Sequence, residues 1–323
     1  MKIARGLAVM FAVVAGFAAT HSMAQNYPTR PIRLIVPFGA GGGTDNLARI
    51  IEPHISRALG QPLVIDNRPG GGSIIGSDTV AKAEPNGYTL LMVDTAFSVN
   101  PSLYKNLPYD PLKDFAQVSL LATAPVILVA HPRAKANTMA EFVARAKARP
   151  GELNYASGGN GSSTHLGGEL LRRVTGITIV HIPYKGTGPA MNDLLGGHVD
   201  VMFSGISSAR PHLDAGTLHG LAVTGDKRSS AVPNVPTFRE VGLGGVMAST
   251  YWGVLAPANT PKSIIDRLSA EFAKTMQNPE VVARIEQLGY LPIGGGPAEY
   301  AQNLQSEIAK WGEVVKTANI KVE

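Results

Sequence analysis

The alternation of short β-branched runs with amphipathic stretches constrains this chain more than any other feature. Ile32–Val36 reads as a strand. Residues 46–59 read as a helix with Leu47, Ile50, Ile51 and Ile55 on one face, and Pro53 is set to kink it or remove a hydrogen bond. Residues 63–65 form a second strand, 76–83 a short helix closed by Pro85-Asn86-Gly87, and Thr89–Val93 a third strand. That order predicts a parallel sheet with crossover helices. The pattern then restarts. Strands at 124–130, 153–156, 177–182, 199–203 and 218–223 enclose helices at 138–148, 165–174 and 188–195. After a strand at 252–256, three helices (261–277, 279–288 and Pro297–Thr317) have no strands of their own and are expected to cover the first sheet. Two α/β lobes follow: residues 25–128 with 251–323, and residues 129–250. Crossings near 124–131 and Ser249–Pro257 join them.

The first residues stand apart from this pattern. Lys2 and Arg5 precede an apolar run at 6–20, and Ser22-Met23-Ala24 offers small residues at both cleavage-defining positions. This is the layout of a secretory leader, 1–24, too short to span a bilayer, which takes about 20 apolar residues. The mature chain is expected to be periplasmic and monomeric. With no cysteine there is no lipid anchor and no disulfide framework. The formal charge of +5, less the leader's Lys2 and Arg5, is +3, and no basic run reaches five residues. Nucleic acid has no footprint here.

Two loops carry the chemistry. Pro37-Phe38-Gly39-Ala40-Gly41-Gly42-Gly43-Thr44-Asp45 joins a strand to a helix, and Thr44 or Asp45 is placed to cap that helix. Gly158-Gly159-Asn160-Gly161-Ser162-Ser163-Thr164 repeats the arrangement in the second lobe, ahead of a helix opening at His165. Free N–H groups and the positive helix end make such a loop an anion seat. Neither the dinucleotide fingerprint nor a phosphate loop is completed, since position 44 is Thr and Gly43 is followed by Thr44-Asp45. In open α/β sheets ligands lie beyond the carboxyl ends of strands. Two such ends facing each other would clasp one small anion. Thr95, Ala96 and Ser98 follow the third strand, and Ser204 with Gly205 holds the analogous place after 199–203. His165 is either a donor to the ligand or a cap of its loop, and as a donor it would make affinity pH-dependent near pH 6–7. Lys185 is either an attractor at the cleft mouth or a surface turn residue, and Tyr251 and Trp252 read as hinge or core packing. No nucleophile elbow or zinc-binding His-Glu-x-x-His occurs, so no metal, cofactor or catalytic residue is expected.

Seven blocks then match one family in order: Tyr27-Pro28-Thr29-Arg30-Pro31-Ile32-Arg33, Val36-Pro37-Phe38-Gly39-Ala40-Gly41-Gly42 with Asp45, Asn67-Arg68-Pro69-Gly70, Pro85-Asn86-Gly87-Tyr88-Thr89, Tyr155-Ala156-Ser157-Gly158-Gly159, Pro183-Tyr184-Lys185-Gly186, and Val235-Pro236-Thr237 with Glu240. The chain resembles the tripartite tricarboxylate transporter solute-binding proteins, the TctC-like or Bug receptors. The resemblance implies a type II periplasmic binding fold that closes like a flytrap on a small carboxylate. It also implies delivery to one large and one small membrane permease subunit. Carried onto matching positions, Phe38, Gly39, Gly42, Gly43 and Thr44 with Ser157, Gly158, Ser162, Thr164 and His165 would hold the ligand; Asn160 of the second loop, Thr95, Ala96, Ser98 and Ser204 at strand ends, and Lys185 at the cleft mouth are expected near it from their places in the chain. Ala40 stands where many members have Pro, and Asn86 where Asp is common. A sensor for a membrane kinase would use the same site. The competing class is a periplasmic enzyme acting on an anionic substrate, which turnover of a carboxylate or phosphate ester would reveal.

Overall fold

The computed structural model describes residues 27–317; the leader expected at 1–24 lies outside them. The first lobe opens with β1 (Ile32–Val36), α1 (Gly43–Leu59), β2 (Leu63–Asn67), α2 (Ile74–Ala81) and β3 (Thr89–Val93). β1 lies parallel between β2 and β3. α3 (Ala96–Leu103) leads into β4 (Phe115–Ala130), and β9 (Ser249–Pro257) sits antiparallel between β3 and β4. α8 (Lys262–Gln277), α9 (Pro279–Gln287), β10 (Leu291–Gly295) and α10 (Pro297–Thr317) close the chain.

β4 serves both lobes. Its Phe115–Pro125 stretch pairs with β9, and β10 takes its other edge at Leu120–Thr123. From Val126 onward its partners change to β7 (Val201–Gly205) and β8 (His219–Val223), both antiparallel. β5 (Asn154–Ser157) then lies parallel to β7, and β6 (Val180–Pro183) parallel to β5. The handover falls at Pro125, which has no N–H to offer a ladder. Val126 N–H instead donates to Thr224 Oγ1 at 2.9 Å. The second lobe's helices are α4 (Met139–Ala148), α5 (Ser163–Thr175), α6 (Thr187–Leu195) and α7 (Ile206–Asp214).

Each sheet half is covered on both faces. Leu47, Ile51 and Ile55 of α1 pack with Leu268 and Phe272 of α8 and Ile285 of α9 over one face of the first half. Val80, Phe97, Tyr300 and Leu304 cover the other. In the second lobe, Phe142 and Leu166 lie on one face, and Met191 and Ile206 on the opposite one. α10 belongs to both lobes: Tyr300 and Leu304 join the first-lobe cluster, while Trp311, Val314 and Val315 pack with Tyr155, Leu166 and Phe203 of the second.

Three expectations change. The C-terminal helices do have a strand of their own, β10, which its Pro292, Gly294 and Gly295 hide from a reading by β-propensity. The helices α3 and α7, not expected from the sequence, are only eight and nine residues long and carry Pro101 and Pro211, so their periodicity is weak. Helix α1 passes through Pro53 without a break. Pro53 is exposed, so the carbonyl it frees can turn to water.

Candidate functional site

α1 starts at Gly43, with extended Gly42 as its N-cap and no capping side chain. This corrects the expected cap at Thr44 or Asp45, which lie in the first turn. The first intrahelical bond runs from Asn46 N to Gly42 O at 2.9 Å. The amides of Gly43, Thr44 and Asp45 therefore have no intrahelical partner. Asp45 braces the loop instead. Its Oδ2 accepts from Gly41 N at 2.8 Å and Arg49 Nε at 2.8 Å, and its Oδ1 from Asn67 Nδ2 at 3.0 Å. Burial works to raise its carboxyl, but bonds from Arg49, Gly41 and Asn67 and the Arg49 charge outweigh that and hold it below the ordinary range. Thr44 Oγ1 accepts from Trp252 Nε1 at 3.0 Å, so the tryptophan fixes the start of α1 as well as filling core. Phe38 is partly buried against the first-lobe core, and Gly39 is exposed.

The second loop is knitted by its own hydroxyls. Ser162 caps α5 by accepting from His165 N at 3.2 Å and donates to Gly159 O at 2.7 Å. Gly158 N donates to Thr164 Oγ1 at 2.9 Å. Ser157 Oγ lies 2.7 Å from His181 Nε2. α5 opens at Ser163, two residues before the expected His165. His165 Nδ1 accepts from Gly161 N at 3.1 Å, which leaves the ring proton on Nε2. Its ring stacks on His181 at 4.1 Å, and His181 on Tyr155 at 4.8 Å. Burial, reinforced by the Arg172 charge, pushes His165 down to about 4. Burial and the His165 ring push His181 down to about 3. A titration of His165 near pH 6–7, expected from the sequence, is thereby displaced; the ring is neutral there and braces the loop.

The two helix starts meet at the beginning of β9. Ser163 Oγ lies 2.7 Å from Thr250 Oγ1, and Thr44 holds Trp252 two residues on. Alternate strand residues point the same way and lie about 7 Å apart. The amides of Ser163 and Thr164, like those of α1's first turn, have no hydrogen-bond partner among the described residues. Two sets of unpartnered N–H groups thus flank one stretch of strand. On the far side, Tyr290 OH lies 3.4 Å from Ser207 Oγ of α7, linking the lobes beside Gly43.

The other residues expected near the ligand have these places in the fold. Thr95 Oγ1 accepts from Tyr251 N at 2.9 Å and donates to Ser249 O at 3.1 Å, clipping β3 to β9. Ser98 Oγ donates to Thr95 O at 2.8 Å, and Ser204 Oγ to Gly205 O at 3.1 Å. Ala96 is buried at the start of α3, Asn160 half-buried in the second loop, and Lys185 exposed in the turn after β6.

Sequence reasoning missed a third glycine loop. Gly70, Gly71, Gly72 and Ser73 have φ of 135°, 57°, 61° and 80°. Asn100 Nδ2 donates to Gly72 O at 2.9 Å, and a Cβ on Gly72 would stand 3.8 Å from Asn160 O of the second loop. The same strand–glycine–helix pattern stands in the sequence after Asn67 and could have found it. Gly161 completes the contact between lobes: it has φ +78°, and a Cβ there would meet Leu103 Cδ1 at 2.7 Å. Gly161→Ala is therefore expected to cost about 1–3 kcal/mol by urea unfolding. A loss below about 0.5 kcal/mol would show that the loop relaxes freely.

Two α/β lobes sharing a sheet, with helix N-termini directed at the junction, define a solute-binding protein of the periplasmic type. A family model described as "Tripartite tricarboxylate transporter family receptor" matches residues 47–320, and the chain belongs to that family. It is similar to the periplasmic binding protein BugD (34% identity, TM-score 0.87, 92% of this chain and 100% of that one). It is also similar to Rpa4515 of R. palustris, solved with adipate (35%, TM-score 0.88, 91% and 99%), and to MatC of Rhodopseudomonas palustris, solved with malate (35%, TM-score 0.84, 90% and 100%). The protein is a receptor and not an enzyme. Among the described residues, no helix is long and apolar enough to cross a membrane.

Proposed function

We propose that this receptor captures a small organic carboxylate on the backbone amides of its two glycine loops. The unpartnered first-turn amides of α1 and α5 on either side of β9 carry the reading. A hydrogen bond to a charged group contributes roughly 1.5–3 kcal/mol, and a helix end roughly 0.3–1. Four or five such bonds, less the cost of ordering, suit an affinity near about 1 μM. The amides of Gly42, Gly43, Thr44, Ser163 and Thr164 do the holding, and Ser157, Ser162, Thr164 and His165 hold the loops. Adipate and malate in similar receptors are consistent with a dicarboxylate-sized ligand. The leader at 1–24 is removed on export, and the mature monomer hands its ligand to a large and a small permease subunit. Residues 25–128 with 251–323 form one lobe and 129–250 the other, the last turns of α10 resting on the second.

A thermal-shift screen of mature, ligand-stripped protein tests this. The panel holds C4–C6 dicarboxylates, tricarboxylates, acidic amino acids and aromatic acids, with phosphate and sugars as controls. A true ligand at one hundred times its Kd adds about 2.7 kcal/mol of stability. That gain should vanish in Gly43→Val. Stabilisation by phosphate or sugar alone would overturn the carboxylate seat.

A further inference from the structure

One acidic side chain beside this seat braces neither glycine loop. Asp94 directly follows β3, at the carboxyl end of a central strand. Its Oδ1 accepts from Ala96 N at 2.9 Å, and Thr44 of α1's first turn lies beside its carboxyl. Thr44 is itself fixed by Trp252. Asp94 keeps partial exposure although Val93, Thr95, Ala96, Thr44 and Trp252 around it are all buried. Asp94 is thus partly open to solvent at the carboxyl end of β3, where α1 begins. No lysine, arginine or histidine among the described residues pairs with the carboxyl. Burial pushes it up to about 6, so near neutral pH it is largely ionised.

An ionised carboxylate accepts about four hydrogen bonds and donates none. Among the described residues one donor, Ala96 N, reaches it, and its partial exposure leaves the remaining lone pairs open to a ligand. A ligand carboxylate seated on the loops next to Asp94 can satisfy them only if it also carries a donor, and best a cation. A second carboxylate there sets like charges together. We propose that Asp94 is the specificity-determining residue of this receptor, selecting a carboxylate that bears an amino group over the plain dicarboxylate of equal length. This rests on the carboxylate reading above.

The test is calorimetric titration of the mature protein at pH 7.5 with matched pairs: succinate and aspartate, glutarate and glutamate, adipate and 2-aminoadipate. In the pair that binds, the amino form is expected to bind at least tenfold tighter. Asp94→Asn keeps the acceptor for Ala96 N and should reduce that preference at least tenfold, mainly by admitting the plain acid. Equal or tighter binding of the plain acid by the wild type overturns the proposal while leaving the carboxylate seat intact. Binding of no carboxylate removes the seat and the proposal together. If Asp94→Asn binds nothing, Asp94→Glu must recover the amino preference, and its failure to do so also overturns the assignment.

Discussion

Replacing Trp311 with alanine is expected to cost about 3–5 kcal/mol, the range for truncating a large buried aromatic. Trp311 is fully buried, and its Nε1 donates to Glu307 Oε2 at 2.7 Å. It sits in the part of α10 that packs on the second lobe, one stretch of helix beyond Tyr300 and Leu304 on the first. The loss therefore falls on the join between lobes as well as on a core. Hydrogen exchange should quicken in the last turns of α10 and in α3, whose Val99 shares the cluster, while the outer turns of α1 keep their protection. Urea unfolding gives the total. A cost under about 1 kcal/mol would mean that α10 is an ornament on the second lobe and not part of its core.

Acid is expected to weaken the protein through His165 and His181. Both bind protons less tightly when folded, at about 4 and about 3, than the ordinary 6.5 of an unfolded histidine. As pH falls from 6.5 toward 4, the unfolded chain takes up protons that the folded one refuses. Stability is complete above 6.5 and declines below it. A tenfold change in a group's proton affinity on folding is worth about 1.4 kcal/mol, so the stacked pair, titrating jointly, represents at most on the order of 8 kcal/mol over the full range of pH. Asp94 acts oppositely. Its folded value of about 6 lies above the ordinary 3.8, so protonation below pH 6 favours the fold by roughly 3 kcal/mol. The wild type should lose about 2 kcal/mol between pH 6.5 and 4.5 in urea unfolding. His181→Gln should flatten that slope and Asp94→Asn should steepen it. Identical slopes in all three proteins would remove these groups from the account.

The legible parts of this protein are local ones. Ile32–Val36, interrupted only by Arg33, and Thr89–Val93 are apolar runs between turn residues, and the long amphipathic run of Pro297–Thr317 admits one reading. The two glycine loops are legible because strand, glycine and helix follow in order along the chain. What the hydroxyls beside them do is not. Ser157 meets His181 24 residues away, and Thr44 meets Trp252 208 residues away, so their partners are set by the folded sheet. Asp94 is a single letter after a strand, and nothing in the neighbouring sequence tells whether a cation answers it. α3 and α7 carry internal prolines that local propensity counts against them, and tertiary packing overrides that count.

β4 bears on the energetics of capture. Its ladder changes partners at Pro125, a residue that contributes no donor, and Val126 is held by the Thr224 side chain. A small rotation of one half against the other at that point breaks no main-chain bond of the proline. A swing of the halves about this point would need no strand to melt first, but α10, which shares cores with both, must move with it. Opening and closing would then flex β4, the start of β9 and α10 together, and release would depend on how readily a partner moves all three.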